Sequence, residues 1–580
     1  MLRRIASYLK GYERFAAASP LLVVLETGCE LTIPLLMARI INQGIYGESL
    51  PVILQSGALM VLVALVATFA GGAAAKCATS AAQGLGANLR RAEFDKIASF
   101  SFADIDRFSS SSLITRMTND VTNIQNTAMI CLRILIRALT MLIASVVLTL
   151  TISPRLALIV LAVLPVMLAA LAGLMKLCMP LFEKMQKALD HLNETVQEDL
   201  IAVRVVKSYV REDREREKFM DANDGFTAAG LRAVLRMVAM QPIMMICMAS
   251  ATVLALYFGG NMVLGLELDV GYLQTVLGYI MQILMSIMFV GMAILQYTRA
   301  QASIHRVFEV LDAQSAITDG GEARLPAPRG RVEFRDVSFR YQTEGAGEDV
   351  LKHIDLTVEP GQFVAIVGGT GTGKSSLVNL IPRFYDVHRG QVLVDGLDVR
   401  DYPLDDLRGR IGMVLQNNVL FSGTIRENLL WGNEDAAEEQ LIQAAKDAQA
   451  YDFIMSFPDG FDTSLDQGGV NVSGGQKQRL CIARAMVRRP AVLILDDSTS
   501  AVDSTTESRI RESFRENLKG TTVIIIAQRI SSVQHADKIV VLDEGTVAGV
   551  GTHDELMAAN HIYREIYDSQ QEGGDEHGGT

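Results

Sequence analysis

The chain is short of charge, aromatic residues and cysteine for its length. Only 20 % of its 580 residues are charged and 6 % are aromatic, with a single Trp. The formal net charge is −12, so the basic surplus that nucleic-acid binding uses is missing. Low charge beside 49 % hydrophobic residues and a mean hydropathy of +0.25 excludes a disordered or fibrous chain. The six cysteines, Cys29, Cys77, Cys131, Cys178, Cys247 and Cys481, show no CxxC and no His/Cys cluster. They read as packed small residues rather than disulfides or metal ligands. The start lacks a signal peptide: Leu2-Arg3-Arg4 runs into Ile5 to Lys10, too polar for an apolar core. An interfacial amphipathic helix fits it better.

Apolar residues are unevenly placed. Residues 19–300 carry long apolar runs, whereas 320–570 are mixed, charged and punctuated by Gly. A hydrocarbon core about 30 Å thick needs about 20 apolar residues as helix. Six stretches qualify: 19–43, 55–78, 126–152, 155–178, 234–265 and 270–297. The links 44–54 and 266–269 hold no Lys or Arg, and the link between spans three and four holds only Arg155. The links 79–125 and 179–233 are rich in both, which places them, both termini and the second half of the chain in the cytoplasm. These two links suit helical arms reaching about 30 Å beyond the bilayer. Each has a polar break, at Phe108 to Ser112 and around Ala202 to Tyr209, which turns the chain and presents a short helix to a partner domain.

Charged and polar groups stand at membrane depth. Glu26 and Glu30 lie four apart in the first span and Arg133 and Arg137 four apart in the third, with Gln241 and Gln282 in the last two. Such groups face a cavity or one another. A polar substrate path and a structural Glu–Arg pair both fit. Met281, Met285, Met288 and Met292 form a stripe in the last span. It suits adaptable apolar binding or plain helix packing.

The second half spells out a nucleotide site. Val364 to Val367 reads as a buried strand. Gly368-Gly369-Thr370-Gly371-Thr372-Gly373-Lys374-Ser375-Ser376 follows, and then a helix begins. This is G-x-x-x-x-G-K-S in the strand–loop–helix context it needs. Backbone N–H groups and the helix start would surround phosphates. Lys374 would reach the β- and γ-phosphates and Ser375 would bind Mg²⁺. Val492 to Leu495 is a second apolar strand, ending in the carboxylate of Asp496, a further Mg²⁺ ligand. Between them Ser473-Gly474-Gly475-Gln476 opens another helix.

Walker A, SGGQ and Walker B in this order resemble the ATP-binding cassette proteins. Six spans fused ahead of the cassette are similar to an ABC exporter half-transporter, and the likeness covers essentially the whole chain. It implies a multi-domain fold. An all-α six-helix transmembrane domain with long cytoplasmic extensions precedes an α/β P-loop cassette with a helical subdomain. The expected boundaries are 1–312 for the membrane domain, with an elbow helix and coupling helices near 101–120 and 202–215. A linker at 313–330, a cassette at 331–570 and a flexible tail at 571–580 follow. The likeness further implies that Tyr341 stacks on adenine, that Gln416 senses Mg²⁺ and the arms, and that Ser500 to Asp503 is the D-loop. Cassettes of this kind dimerise, each ATP held between one P-loop and the other subunit's signature.

Two positions depart from the family pattern. Asp497 stands where the catalytic Glu follows Walker B, and Gln528 where the switch His stands. Asp is one methylene shorter than Glu and falls more than about 1 Å short of the attacking water, and general-base catalysis depends on such reach. Gln can hydrogen-bond a phosphate but cannot carry a proton. Two altered catalytic positions beside intact binding motifs resemble the degenerate subunit of bacterial heterodimeric exporters, as does Gln467-Gly468-Gly469 ahead of the signature. The expectation is a plasma-membrane subunit of an ATP-driven exporter of amphipathic or hydrophobic compounds: drugs, lipids or peptides. It would use ATP and Mg²⁺ and pair with a second half-transporter that supplies the competent site's Glu and His. A homodimeric slow ATPase and an ATP-gated channel or regulatory module stay open as alternatives. With no domain expected ahead of the first span, a peptidase-fused exporter is disfavoured.

Overall fold

The computed structural model describes residues 2–319, 325–341, 348–497 and 504–575. They form two compact units, Met1–Lys96 with Ile114–Asp312, and Ile97–Leu113 with Ala313–Thr580.

The first unit is helical throughout. Its helices are α1 (Leu2–Ser7), α2 (Glu13–Arg39), α3 (Leu50–Ala98), α5 (Ser110–Thr115), α6 (Val121–Ile130), α7 (Ile136–Ile152), α8 (Pro154–Ser208), α9 (Glu212–Val238), α10 (Met240–Leu264) and α11 (Val270–Asp312); α4 (Phe102–Phe108) belongs to the second unit. Among the described residues, five helical stretches are long and apolar enough to cross a membrane: Glu13–Ile45, Leu50–Ala98, Ser110–Ile152, Glu212–Leu264 and Val270–Asp312. The expected fourth span opens α8, whose apolar part, Pro154–Ala170, is shorter, with Lys176 inside the range assigned to it. At 1.5 Å per residue α8 is about 80 Å long, far more than a bilayer core needs.

Small residues let these helices approach closely. α3 buries Ala67, Ala70, Gly71, Ala74, Ala78, Ala81 and Ala82 along one side. A Cβ on Gly71 would stand 2.6 Å from Glu26 Oε1, and one on Gly84 would stand 2.3 Å from the Tyr12 ring. Where hydrocarbon surrounds the helices, such backbone proximity drives association. Further along, Asp120 accepts from Arg306 Nε at 2.7 Å and from Ser303 Oγ at 2.7 Å, while Arg116 donates to Glu309 at 2.8 Å. These contacts fasten the π-helical turn Arg116–Asp120 to the end of α11. Arg4 of α1 donates to Asp312 at 2.9 Å and lies over the Phe308 ring. The six cysteines are all free thiols.

The polar break at Phe108 to Ser112 does turn the chain: Ser109 has a positive φ of 55° and separates α4 from α5. The second break falls elsewhere than expected. Residues 202–208 remain helical, and the turn is Tyr209–Arg211, with Val210 at φ 51°. No short helix separates α8 from α9 among the described residues. A helix can run through 202–208 because the stretch contains no Gly or Pro and its polar side chains point to solvent.

The second unit is built on β-sheets. Its strands are β1 (Val332–Phe339), β2 (Leu351–Val358), β3 (Phe363–Val367), β4 (Arg389–Val394), β5 (Leu397–Asp398), β6 (Ile411–Val414), β7 (Gly423–Thr424), β8 (Ser464–Leu465), β9 (Val492–Asp496), β10 (Thr522–Ile526), β11 (Lys538–Asp543) and β12 (Thr546–Gly551). One sheet runs β2-β1-β4-β5, antiparallel; β7 and β8 pair separately. The central sheet runs β12-β11-β3-β10-β9-β6, parallel except for β12. β3, β9 and β10 are buried at every residue, as a parallel sheet covered on both faces requires. The C-terminal helix His561–Asp575 reaches into the stretch expected to be a flexible tail, since Ile562, Tyr563 and Ile566 pack on the core.

The segment 97–113 lies between membrane-type helices in sequence and packs with the cassette instead. Phe102 stacks on Phe384 at 4.2 Å, and Tyr385 donates its hydroxyl to Asp106 at 2.7 Å. Burial pushes the Asp104 carboxyl up. Hydrogen bonds from Ser101, Ser315 and Ala316 more than offset that and hold it below the usual carboxylate range. Truncating the ring under Phe102 therefore loosens α4 selectively. Phe384→Ala should lower hydrogen-exchange protection of the amides in 102–108 about fivefold, the loss of one aromatic pair, with the central sheet unchanged. Equal protection in the variant and the parent would show that the stack does not hold this helix.

Candidate functional site

Parallel register brings the sequence motifs together. Ile366 of β3 and Asp496 of β9 both stand opposite Ile526 of β10. The P-loop, the carboxylates and the 527–528 turn therefore leave the sheet side by side at its carboxyl end, where open α/β sheets bind ligands. The cavity there measures about 540 Å³ and is lined by Gly368 to Ser376, Gln416, Asp496, Asp497 and Gln528.

The P-loop turns through Gly371 at φ 83° and Gly373 at φ 90°, the latter capping α12 (Lys374–Asn379). Neither angle suits a side chain. Lys374 Nζ donates back across the loop to the carbonyls of Gly368 (2.9 Å) and Gly369 (2.6 Å). Burial lowers its ammonium pKa, and Asp497 and Asp496 oppose that shift. Thr372 Oγ1 donates to Gly369 O, tightening the turn that Thr370 and Gly371 complete. Ser375 Oγ donates to Asp496 Oδ1 at 3.0 Å. Burial raises the Asp496 carboxyl, the Ser375 hydrogen bond lowers it, and the neighbouring Asp497 charge raises it again. The oxygens of Ser375, Asp496 and Gln416, all on this cavity, form the hard donor set that suits Mg²⁺.

Asp497 and Gln528, the two departures from the family pattern, are in contact. Gln528 Nε2 donates to Asp497 Oδ2. The Asp497 carboxyl is raised chiefly by burial, with Lys374 and the Gln528 amide pulling the other way. Gln570 of the C-terminal helix braces the same turn, donating to Gln528 O at 2.7 Å and accepting from Ile530 N at 2.9 Å. Gln570 has no sequence signal; it lies 42 residues from Gln528 and is brought in only by packing.

Tyr341 is 36 % exposed, and its hydroxyl is 2.9 Å from Ser376 Oγ at the start of α12. Phe339 and Tyr385 meet its ring edge-on. Ser473 caps the helix Gly474–Val487 in a capping box: its Oγ accepts from Gln476 N and its N–H donates to Gln476 Oε1 at 2.9 Å. Ser473, Gly474, Gly475 and Gln476 do not line the P-loop cavity. Asp503 and the rest of the expected D-loop, 500–503, lie outside the described residues.

A fused helical domain and a P-loop sheet with a capped SGGQ helix are a transporter's two parts. Family models match both: ABC transporter transmembrane region over residues 17–287, and ABC transporter over residues 351–500. The chain belongs to the ABC transporter family. It is 37 % identical over 571 residues to the uncharacterized ABC transporter ATP-binding protein YfiB of Bacillus subtilis, covering 98 % of each chain. It is 36 % identical to a candidate multidrug export ATP-binding/permease protein, YgaD, of the same organism, covering 83 % of each. A bacterial Atm1-family ABC exporter with ATP bound has the same fold, with a TM-score of 0.78 at 25 % identity over 97 % of this chain and 99 % of that one. The chain is an ABC exporter half-transporter, and ABC exporters work as dimers of half-transporters in a lipid bilayer.

In the first unit the Glu–Arg pair forms. Arg137 donates to both Glu30 oxygens, at 2.8 and 3.0 Å, and stands 3.5 Å from Glu26. Arg137 also lines a cavity with Arg133, Gln282 and Met285, whereas Glu26, Glu30 and Met292 do not.

Burying Asp496 next to Asp497 works against the nucleotide-free fold. Asp496→Asn should raise the melting temperature of the nucleotide-free protein by about 2 °C and remove Mg²⁺-dependent nucleotide binding. A lowered melting temperature would show that the Ser375 hydrogen bond outweighs the burial of charge.

Proposed function

We propose that the chain is one subunit of an ATP-driven exporter in a bacterial plasma membrane, with the cassette and both termini cytoplasmic. It moves amphipathic or hydrophobic compounds such as drugs, lipids or peptides outward. The observation that carries this reading is the separation, within one cassette, of an intact P-loop cavity from a capped SGGQ helix whose start, Ser473 and Gly474, is exposed. A second subunit completes both. In this reading Lys374 leaves the carbonyls of Gly368 and Gly369 for the β- and γ-phosphates, and the N–H groups of 368–376 surround them. Tyr341 supports the adenine ring, and Ser473 to Gln476 face the nucleotide of the partner subunit, with Asp503 at the joint. Mg²⁺ held by Ser375, Gln416 and Asp496 would neutralise charge on the transferring phosphate. The segment 97–113, seated on Phe384 and Tyr385, carries closure of the cassettes towards the spans.

The Asp497–Gln528 hydrogen bond favours a heterodimer. A carboxylate already engaged by an amide, one methylene shorter than Glu, is poorly placed to orient water, and Gln528 cannot shuttle a proton. The chain's own site therefore binds ATP and turns it over slowly, and the partner supplies the competent site. ATPase activity of the purified chain alone, against that of the chain co-expressed with its partner half-transporter, tests this. The chain alone should be about 10²-fold slower than the pair, and Asp497→Asn should leave the pair's rate nearly unchanged. A fully active lone chain would make it a homodimeric pump. ATP-independent, down-gradient flux in vesicles would make it a channel.

A further inference from the structure

We propose that the cavity between the Cys131–Leu135 turn with α7 on one side and α11 on the other binds a small amphipathic anion, with Arg133 receiving its charged head. This rests on the exporter reading and names the substrate class of that membrane domain.

The charge balance behind the cavity wall carries the argument. Four ionisable side chains stand here, two acids and two bases. Both carboxylates are committed to Arg137, Glu30 through two hydrogen bonds and Glu26 at 3.5 Å. Neither Glu26 nor Glu30 lines the cavity; Arg133 and Arg137 do. Among the described residues, Arg133 forms no ion pair and donates no side-chain hydrogen bond. An unpaired charge within a span is expensive and marks a ligand path. The cluster is neutral as a whole but polarised, and the face it turns to the cavity is positive.

The backbone and the opposite wall agree with this. Cys131–Leu135 is a π-helical turn with Arg133 at its centre. Such turns are rare and frequently stand at functional sites. The cavity measures about 380 Å³, the scale of a small-molecule site. Met141, Met285 and Phe289 give it soft apolar walls. Gln282, whose Oε1 takes the Ser145 hydroxyl at 3.5 Å, keeps its amide hydrogens for a ligand. A cation, a few neutral donors and adaptable apolar walls fit a carboxylate or sulfonate on a compact apolar body.

The test uses the full-length protein, nucleotide-free, in phosphatidylcholine nanodiscs. Two probes share one fluorophore and differ in head charge: dansyltaurine, a sulfonate, and dansylcadaverine, an ammonium. Dansyltaurine should bind about tenfold more tightly. Arg133→Gln should erase that preference, and Arg133→Lys should keep most of it. If Arg133→Gln fails to fold, displacement of dansyltaurine from the parent protein by decanesulfonate but not by decyltrimethylammonium supplies the same readout. Equal affinity for the two probes, or an Arg133→Gln variant that binds the sulfonate as tightly as the parent, overturns the proposal. Displacement of dansyltaurine by phosphatidylglycerol in the disc would identify the anion as a bilayer lipid. Undiminished binding there would identify it as a soluble amphiphile. Because binding is read without ATP, loss of charge preference leaves ATP-driven export standing. Charge-selective binding without ATP-dependent flux removes only the exporter reading.

Discussion

Everything in the cassette depends on the parallel register of three buried strands. β10 aligns Ile526 with both Ile366 and Asp496, so three chain reversals leave the sheet at one level. That alignment places the glycine loop, the acidic pair and Gln528 around a single cavity. A shift of one residue in any strand would turn its apolar side chains to the other face and move its functional end by about 3.3 Å. With all three strands buried on both faces, such a slip has no favourable alternative. The exposed start of the SGGQ helix, Ser473 and Gly474, then follows from position. Its cap is satisfied within itself, by Ser473 and Gln476, so it is formed before any partner arrives.

The long helices obey a different constraint. A bilayer sets a length of about 20 residues, and α3, α8 and α11, at 49, 55 and 43 residues, each exceed it at least twofold. The excess is stabilised outside lipid by ion pairs and packing, as at Asp120 with Arg306 and Arg116 with Glu309. Within the apolar stretch, small residues do the work instead, as where Gly71 meets Glu26. The chain thus changes its means of holding helices together along the length of one helix.

Much of this was legible in the residues, and the failures are physical. The P-loop, Asp496 and the SGGQ cap are local motifs whose geometry needs only neighbouring residues. The break at Ser109 was legible because serine favours helix starts: Ser109 Oγ accepts from Ser112 N as α5 begins. The break after α8 was misplaced because Ala202 to Ser208 has no residue that stops a helix; the reversal at Val210 is imposed by packing of α8 on α9. The seat of Phe102 on Phe384 and the brace of Gln570 on Gln528 join residues far apart in sequence, and no periodicity announces them. The unequal use of the two arginines was also hidden. Spacing puts Arg133 and Arg137 on one face, but only the fold shows that Arg137 takes both carboxylates.

The contact between Asp497 and Gln528 changes how the two departures should be counted. From the sequence they are separate alterations at separate motifs. In the structure the amide of one holds the carboxylate of the other. A His in place of Gln528 would present a ring rather than an amide, and a Glu in place of Asp497 would carry its carboxylate a methylene further into the cavity. Either change alone leaves its neighbour matched to the wrong length and donor geometry. The two residues therefore behave as one unit, and neighbours of this kind are non-additive. Restoring the family's Glu and His together is the meaningful comparison; either single replacement mixes the loss of a hydrogen bond with the gain of a catalytic group.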